Sequence, residues 1–148
     1  MPVPMYVMPT KEVGFVDVAS AVYPCDRSTG SVTLLNTVPQ GATQSTRVGK
    51  KIAMKSLQCR GFFANLGSAT YNDVAMLIVY DKRPTGTLPG VTDVLNSISS
   101  RAFNNDANSG RFQILKRVDF TLNGNTTTIT DTTAVSADFY LNLRGKET

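Results

Sequence analysis

Basic residues are the side chains of this sequence whose spacing is most informative. The segment RVGKKIAMKS at positions 47–56 places Arg47, Lys50, Lys51 and Lys55 where a loop is expected to become a strand. Because alternate side chains of a strand lie on the same face, Lys51 and Lys55 are expected to lie together. Neighbouring ammonium groups can follow a phosphate backbone, so this segment predicts contacts with a polyanion.

Acidic residues are absent around this segment. Between positions 27 and 72 the sequence has six basic residues and no Asp or Glu. This part therefore has a charge of +6, whereas the whole chain has a net charge of +4. A one-sided positive field attracts polyanions, although a solvated basic face without a partner has the same composition. Arg60 is followed by Phe62 and Phe63, whose rings could stack on unpaired bases or pack in the core.

The sequence contains few of the groups that enzymes use. It has no histidine, which removes the commonest general base and the Ser–His and Cys–His nucleophile pairs. No glycine-rich run matches a phosphate-binding loop, and the eleven acidic residues lack metal-binding spacing. We therefore expect no enzymatic activity, no cofactor, no metal and no small-molecule substrate.

The two cysteines and the lengths of the apolar segments indicate in which cellular environment the protein is expected. Cys25 and Cys59 cannot complete a four-ligand zinc site on their own; two buried thiols are the simplest interpretation, with a disulfide as the alternative. No stretch approaches the roughly 18 apolar residues of a membrane span. Residues 1–10 have three prolines and no basic residue, so they do not resemble a signal peptide. We expect a soluble protein without a membrane partner.

Alternating apolar residues predict strands along much of the chain. In residues 135–144 the odd-numbered positions are apolar and most even-numbered positions are polar. Residues 112–122 alternate too, but Lys116 falls on the apolar side, which indicates a bulge or a position at the rim. Residues 74–80 are continuously apolar, as in a strand covered on both faces.

Weaker patterns complete the predicted elements. Residues 52–59 change phase near Lys55, which indicates another bulge, and residues 31–38 and 13–23 are less regular strand candidates. Apolar residues recur at helical spacing after a proline, so a short helix is expected over residues 90–99.

Turn residues separate these segments. Asn123-Gly124 lies between two β-rich runs and is the strongest hairpin signal of the chain. Pro-x-Gly triplets at 39–41 and 84–86 end two runs, and the polar residues 101–110 indicate a loop. Six or seven strands with one short helix in a loop predict an all-β fold. A single jelly-roll β-sandwich is the first choice, with a closed OB-type barrel as the alternative.

Short motifs occur in a recognisable order: LLN with VPQG at 34–41, RVGKKI with KS at 47–56, YDKRPTG at 80–86, RFQIL at 111–115 and LRGKET at 143–148. In order and spacing they resemble the coat proteins of geminiviruses and related circular single-stranded DNA viruses. The resemblance implies a jelly roll, assembly into an icosahedral or twinned shell, and packaging of single-stranded DNA. It makes residues 1–30 the N-terminal arm and first strand, and residues 31–148 the capsid domain.

Two features depart from the pattern of that family. Its members usually carry an arginine-rich N-terminal arm, whereas residues 1–10 are uncharged. Either the arm is missing, or the cations of the β domain neutralise the DNA. Members also continue past the LRGKET motif into further strands. A jelly roll needs eight strands, and the sequence predicts six or seven. We therefore expect a fragment, or one of two pieces that together form the fold. Its open sheet edge could then pair with another chain.

The leading hypothesis is a viral capsid subunit that self-assembles and packages single-stranded DNA, or RNA, through nonspecific basic contacts. It places the protein in the virion and, during assembly, in the host nucleus. The candidate phosphate contacts are basic residues on or beside predicted strands: Arg47, Lys50, Lys51, Lys55, Arg60, Arg111, Lys116, Arg117 and Arg144. The alternatives are a non-viral single-stranded nucleic-acid-binding β-barrel module and a structural shell without nucleic acid.

Overall fold

The computed structural model describes residues 14–18, 28–43, 45–47, 51–65, 71–123 and 134–147. Within these residues every strand pairs antiparallel and the helices are single turns, which confirms the predicted all-β class. The strands are β1 (Ala53–Cys59), β2 (Phe62–Ala64), β3 (Tyr71–Asp81), β4 (Phe112–Asn123), β5 (Ala134–Ser136) and β6 (Phe139–Glu147). The helical turns are α1 (Val91–Val94) and a 3-10 turn at Asp106–Asn108.

The two longest strands, β3 and β4, form one antiparallel ladder. Ile78 lies opposite Lys116 and Val79 opposite Ile114, so Leu115 is an extra residue on β4. This bulge confirms the irregularity that the sequence predicts beside Lys116. The lysine side chain is exposed to solvent.

In the second antiparallel ladder, β1 pairs with β6 and β2 pairs with β5. Cys59 pairs with Phe139 and Phe62 with Ser136, so both sides keep one register across the break between their strands. A hydrogen bond connects the two sides at this break: the carbonyl oxygen of Gly61 accepts from the backbone N–H of Ala137 at 2.8 Å. The Gly61 N–H donates to the Asp138 carboxylate at 3.1 Å. The residues predicted to alternate, 135–144, are therefore divided between β5 and β6 but keep one continuous apolar face.

The second ladder has a bulge at Lys55, as the phase change in the sequence predicts. Met54 pairs with Lys146 and Ser56 with Asn142, so the extra residues belong to β6. Arg144 and Gly145 take left-handed conformations there, with φ of 52° and 71°. Two successive positive φ values let β6 carry the additional residues and resume pairing.

The main core lies between the two ladders. Phe120, Leu122 and Ala137 are buried, and the Phe63 ring packs on the Phe120 ring with centroids 4.8 Å apart. Partly buried aliphatic side chains surround them: Val74, Met76, Val118 and Val135. Burial of a side chain of this size contributes about 1.5–3 kcal/mol, so this cluster is the principal stabilising contact between the ladders.

The segment between β3 and β4 lies against the outer face of their ladder. The Arg117 guanidinium on β4 donates to the carbonyl oxygens of Ser100 and Ala102. Arg101 donates to the Asp73 carboxylate on β3 at 2.9 Å. Because the segment covers this face, β3 is half-buried along most of its length, as its continuous apolar run predicts.

The predicted helix at 90–99 is too long. Helical geometry ends after Val94, because Leu95 turns to extended backbone and bridges Asn104. The Asn105 N–H donates to the Val94 carbonyl at 2.9 Å, so a loop contact takes the place of a second helical turn. Residues 101–110 form a loop with one 3-10 turn, as expected.

Two strand predictions fail within the described residues. Residues 31–38 form no strand, and the side chains of Val32, Leu34 and Leu35 are exposed by 39–48%. Their β propensity is not sufficient, because a strand is stabilised by cross-strand neighbours. Of the candidate at 13–23, residues 14–18 form no strand and the others lie outside the described residues. The expected turn after Asn123 also lies outside them.

Candidate nucleic-acid interface

Four of the predicted phosphate contacts are exposed cations without a carboxylate partner in the described part of the chain. They are Lys55, Arg60, Lys116 and Arg144. Lys55 lies across the ladder from the bulge of β6 that contains Arg144, so both exposed cations belong to the same stretch of the β1–β6 pair. Like charges on the same part of a surface repel, and a bound anion reduces this repulsion.

Arg111 is held by the fold. Its Nε and Nη2 donate to the two oxygens of Asp81 at 3.1 and 2.7 Å, and its guanidinium lies 4.7 Å from the Phe112 ring centroid. These hydrogen bonds lower the pKa of Asp81 and raise that of Arg111. The bidentate pair occupies one edge of the guanidinium, and the carboxylate neutralises the charge that would attract a phosphate.

Arg117 and Arg47 also have structural contacts. Besides its two bonds to the β3–β4 segment, Arg117 donates from Nε to Asp119 at 3.0 Å. The half-buried Arg47 donates from Nε to the Val38 carbonyl at 3.2 Å, and its backbone bridges Gln40. These guanidiniums position loops, which reduces their freedom to follow a nucleic-acid backbone.

The remaining two predicted cations precede β1 in the sequence. Lys51 is exposed and its Nζ lies 3.8 Å from a Glu147 carboxylate oxygen on β6. A surface pair at this distance is weak and easily exchanged for a phosphate. Lys50 lies outside the described residues.

The two phenylalanines that follow Arg60 are separated by the strand alternation. Phe63 packs in the core, whereas the Phe62 side chain is 61% exposed. On the same face Tyr140, which sequence reasoning did not select, is 66% exposed. The alternation of residues 135–144 already placed Tyr140 on the polar face, and this was the available signal.

A shallow groove of about 400 Å³ lies between the β3–β4 segment and the outer face of the ladder. Its cations, Arg101 and Arg117, face Asp73 and Asp119. Hydrogen bonds from Arg101 and then Thr121 lower the pKa of Asp73. Because its positive charges are compensated, this groove is a poor site for phosphate.

Other chemical groups add little to the site. Cys59 is a free, half-buried thiol whose pKa is raised by burial and by the charge of Asp138; Cys25 lies outside the described residues. In the ranges that the structure describes, no three His, Cys, Asp or Glu side chains cluster as a metal site. No helix in those ranges is long and apolar enough to cross a membrane.

Together these features define a small antiparallel β protein that presents uncompensated cations and exposed aromatic rings on a sheet surface. The profile of the Geminivirus coat protein/nuclear export factor BR1 family matches residues 10–143, and the chain belongs to that family. A search of curated proteins found no match. The family assignment makes the chain a viral coat protein, a component of the virion, and confirms the resemblance found in the sequence.

Proposed function

We propose that this coat protein assembles with copies of itself into a closed shell and packages single-stranded DNA through nonspecific contacts with phosphates. Membership of the coat protein family supports assembly and association with viral DNA. The nuclear export factor in the family description supports a stage of assembly in the host nucleus. The proposed subunit is a jelly roll over residues 31–148, with residues 1–30 as arm and first strand.

The observation that carries the nucleic-acid part is the pair Lys55 and Arg144. Both side chains are exposed, Lys55 lies opposite the bulge of β6 that contains Arg144, and neither has a carboxylate partner in the described residues. Arg144 lies in the left-handed part of this bulge, together with Gly145. Phosphate contacts of this kind fix a strand on the surface without reading its bases.

The proposal is tested by comparing two double variants that remove the same charge. Lys55→Gln with Arg144→Gln removes the paired cations, and Lys82→Gln with Arg83→Gln removes two exposed cations after β3 as the matched control. Binding of a single-stranded oligonucleotide is measured against salt. We expect the first variant to lower the slope of log affinity against log salt by about 0.7 for each lost phosphate contact. Equal slopes in the two variants would contradict the assignment.

A further inference from the structure

The exposed face of the β1–β2/β5–β6 ladder combines aromatic rings, a guanidinium and amides. Because the ladder keeps one register across its break, its even-numbered residues share this face. The described residues that point outward from it are Ser56, Gln58, Arg60, Phe62, Ser136, Asp138, Tyr140 and Asn142. The odd-numbered neighbours, such as Leu57 and Phe139, are half-buried on the opposite side.

Two rings stand apart on this face. Phe62 pairs with Ser136, and Tyr140 pairs with Gln58, four residues before Phe62 on the same side of the ladder. At about 3.4 Å per residue along the ladder and about 4.8 Å between strands, the two positions are roughly 14 Å apart. Polar side chains separate them, so the face is not a continuous apolar patch of the kind that buries against a folded protein.

Arg60 lies between the two rings along the ladder. The Gln58 amide, in the orientation that satisfies both of its polar atoms, accepts from Nε and Nη2 of Arg60 at 3.1 and 3.2 Å. The guanidinium therefore lies on the aromatic face while keeping donors for a phosphate. Asp138 is the one carboxylate among the described residues of this face, and it accepts from the Gly61 N–H.

We propose that this face is a base-stacking platform for unpaired nucleotides, with Phe62 and Tyr140 each taking a base and Arg60 contacting the backbone between them. In a single strand, planar bases are joined by an anionic backbone. Two aromatic rings on either side of a cation can therefore stack on bases while the cation contacts the backbone. In a duplex the base faces are already stacked on their neighbours, so the platform favours single strands. The inference rests on the proposed function and adds the contacts to bases.

The test compares single-stranded oligothymidylate with an abasic deoxyribose-phosphate strand of equal length, by fluorescence anisotropy on the full chain. The parent is expected to bind the thymidylate at least about fivefold more tightly, since stacking on one aromatic side chain strengthens binding by this factor or more. Phe62→Leu with Tyr140→Leu is expected to reduce thymidylate binding to the abasic level with the salt slope unchanged. Tyr140→Phe, which keeps the ring, is expected to retain the preference for bases.

Two exposed aromatic residues of other surfaces supply the control, Tyr71→Leu with Phe103→Leu. The control is expected to keep the preference for bases. Loss of that preference in the control, or its persistence in the Phe62 and Tyr140 variant, would overturn the platform. Equal binding of both strands by the parent would overturn the platform alone. If the parent bound neither strand at low salt, the proposed function would fail as well.

Discussion

At the scale of single residues, the basic side chains of this protein divide by what lies beside them. Arg111 is neutralised by Asp81 through a bidentate pair, and Arg117 holds the segment between β3 and β4. Lys55 and Arg144 have no such partner among the described residues. Counting cations in the sequence therefore overstates the surface charge that a nucleic acid can use.

The Arg111–Asp81 pair predicts a pH dependence of stability. Since the pKa of Asp81 is lower in the folded state than its ordinary value of 3.8, the contribution is complete above that value. It is lost as the pH falls through the lower folded pKa. Asp81→Asn is expected to reduce the free energy of unfolding by about 1 kcal/mol at neutral pH, and by little below the folded pKa.

Chemical denaturation at several pH values measures this effect, with Asp119→Asn as the control. Asp119 pairs with Arg117, but its carboxylate side chain is mostly exposed, so its substitution is expected to change stability little at any pH. An Asp81→Asn loss that stayed constant down to the lowest pH would show that the carboxylate charge is not the source of the stabilisation.

At the scale of elements, the bulge in β6 depends on backbone conformation. Gly145 has a φ of 71°, and a Cβ added there would meet no atom within 4 Å. Gly145→Ala therefore tests the left-handed backbone alone, without a steric clash. We expect it to lower the free energy of unfolding by about 1–2 kcal/mol, the usual cost of that conformation for a residue with a Cβ.

Gly61→Ala is the matched control. A Cβ at Gly61 would also meet nothing within 4 Å, and its φ is not positive. We expect this change to leave stability constant or to raise it slightly, because alanine restricts the unfolded chain. If the two alanine variants had equal stability in thermal unfolding, the left-handed conformation of Gly145 in solution would be in doubt.

The sequence predicted the features that depend on the residue pattern of a single strand. It was less informative where contacts with a distant segment determine the secondary structure. Phase changes near Lys55 and Lys116 located both bulges, because a bulge shifts the apolar face of its own strand or of its partner. The helix at 90–99 ended early because Leu95 pairs with Asn104, and the strand at 31–38 failed because no neighbouring strand pairs with it in the described residues.

For the candidate site, the sequence indicated a kind of ligand but not which residues are available to bind it. The basic segment indicated a polyanion, and Lys55 lies on the exposed surface as expected for such a contact. That Arg111 would meet Asp81 across the β3–β4 ladder could not be known without the register of the two strands. The register of the second ladder likewise brings Tyr140 onto the face of Phe62.

At the scale of the whole molecule, the two ladders meet at a small core and at one edge. At the edge Tyr80 on β3 donates a hydrogen bond to the Glu147 carbonyl, and the Lys146 ammonium lies 4.8 Å from the Tyr80 ring centroid. The same ammonium donates to Gln113 on β4 at 2.9 Å. The outer face of the β1–β6 ladder remains exposed, and this is the surface that the proposed base-stacking platform needs.

The most direct test of the central claim is size-exclusion chromatography of the purified chain at neutral pH. Ultraviolet absorbance distinguishes nucleic acid from protein, and electron microscopy images the excluded fraction. We expect uniform particles that contain nucleic acid, with the nucleic acid protected from nuclease. A monomer that binds no nucleic acid, or uniform particles that contain none, would contradict it.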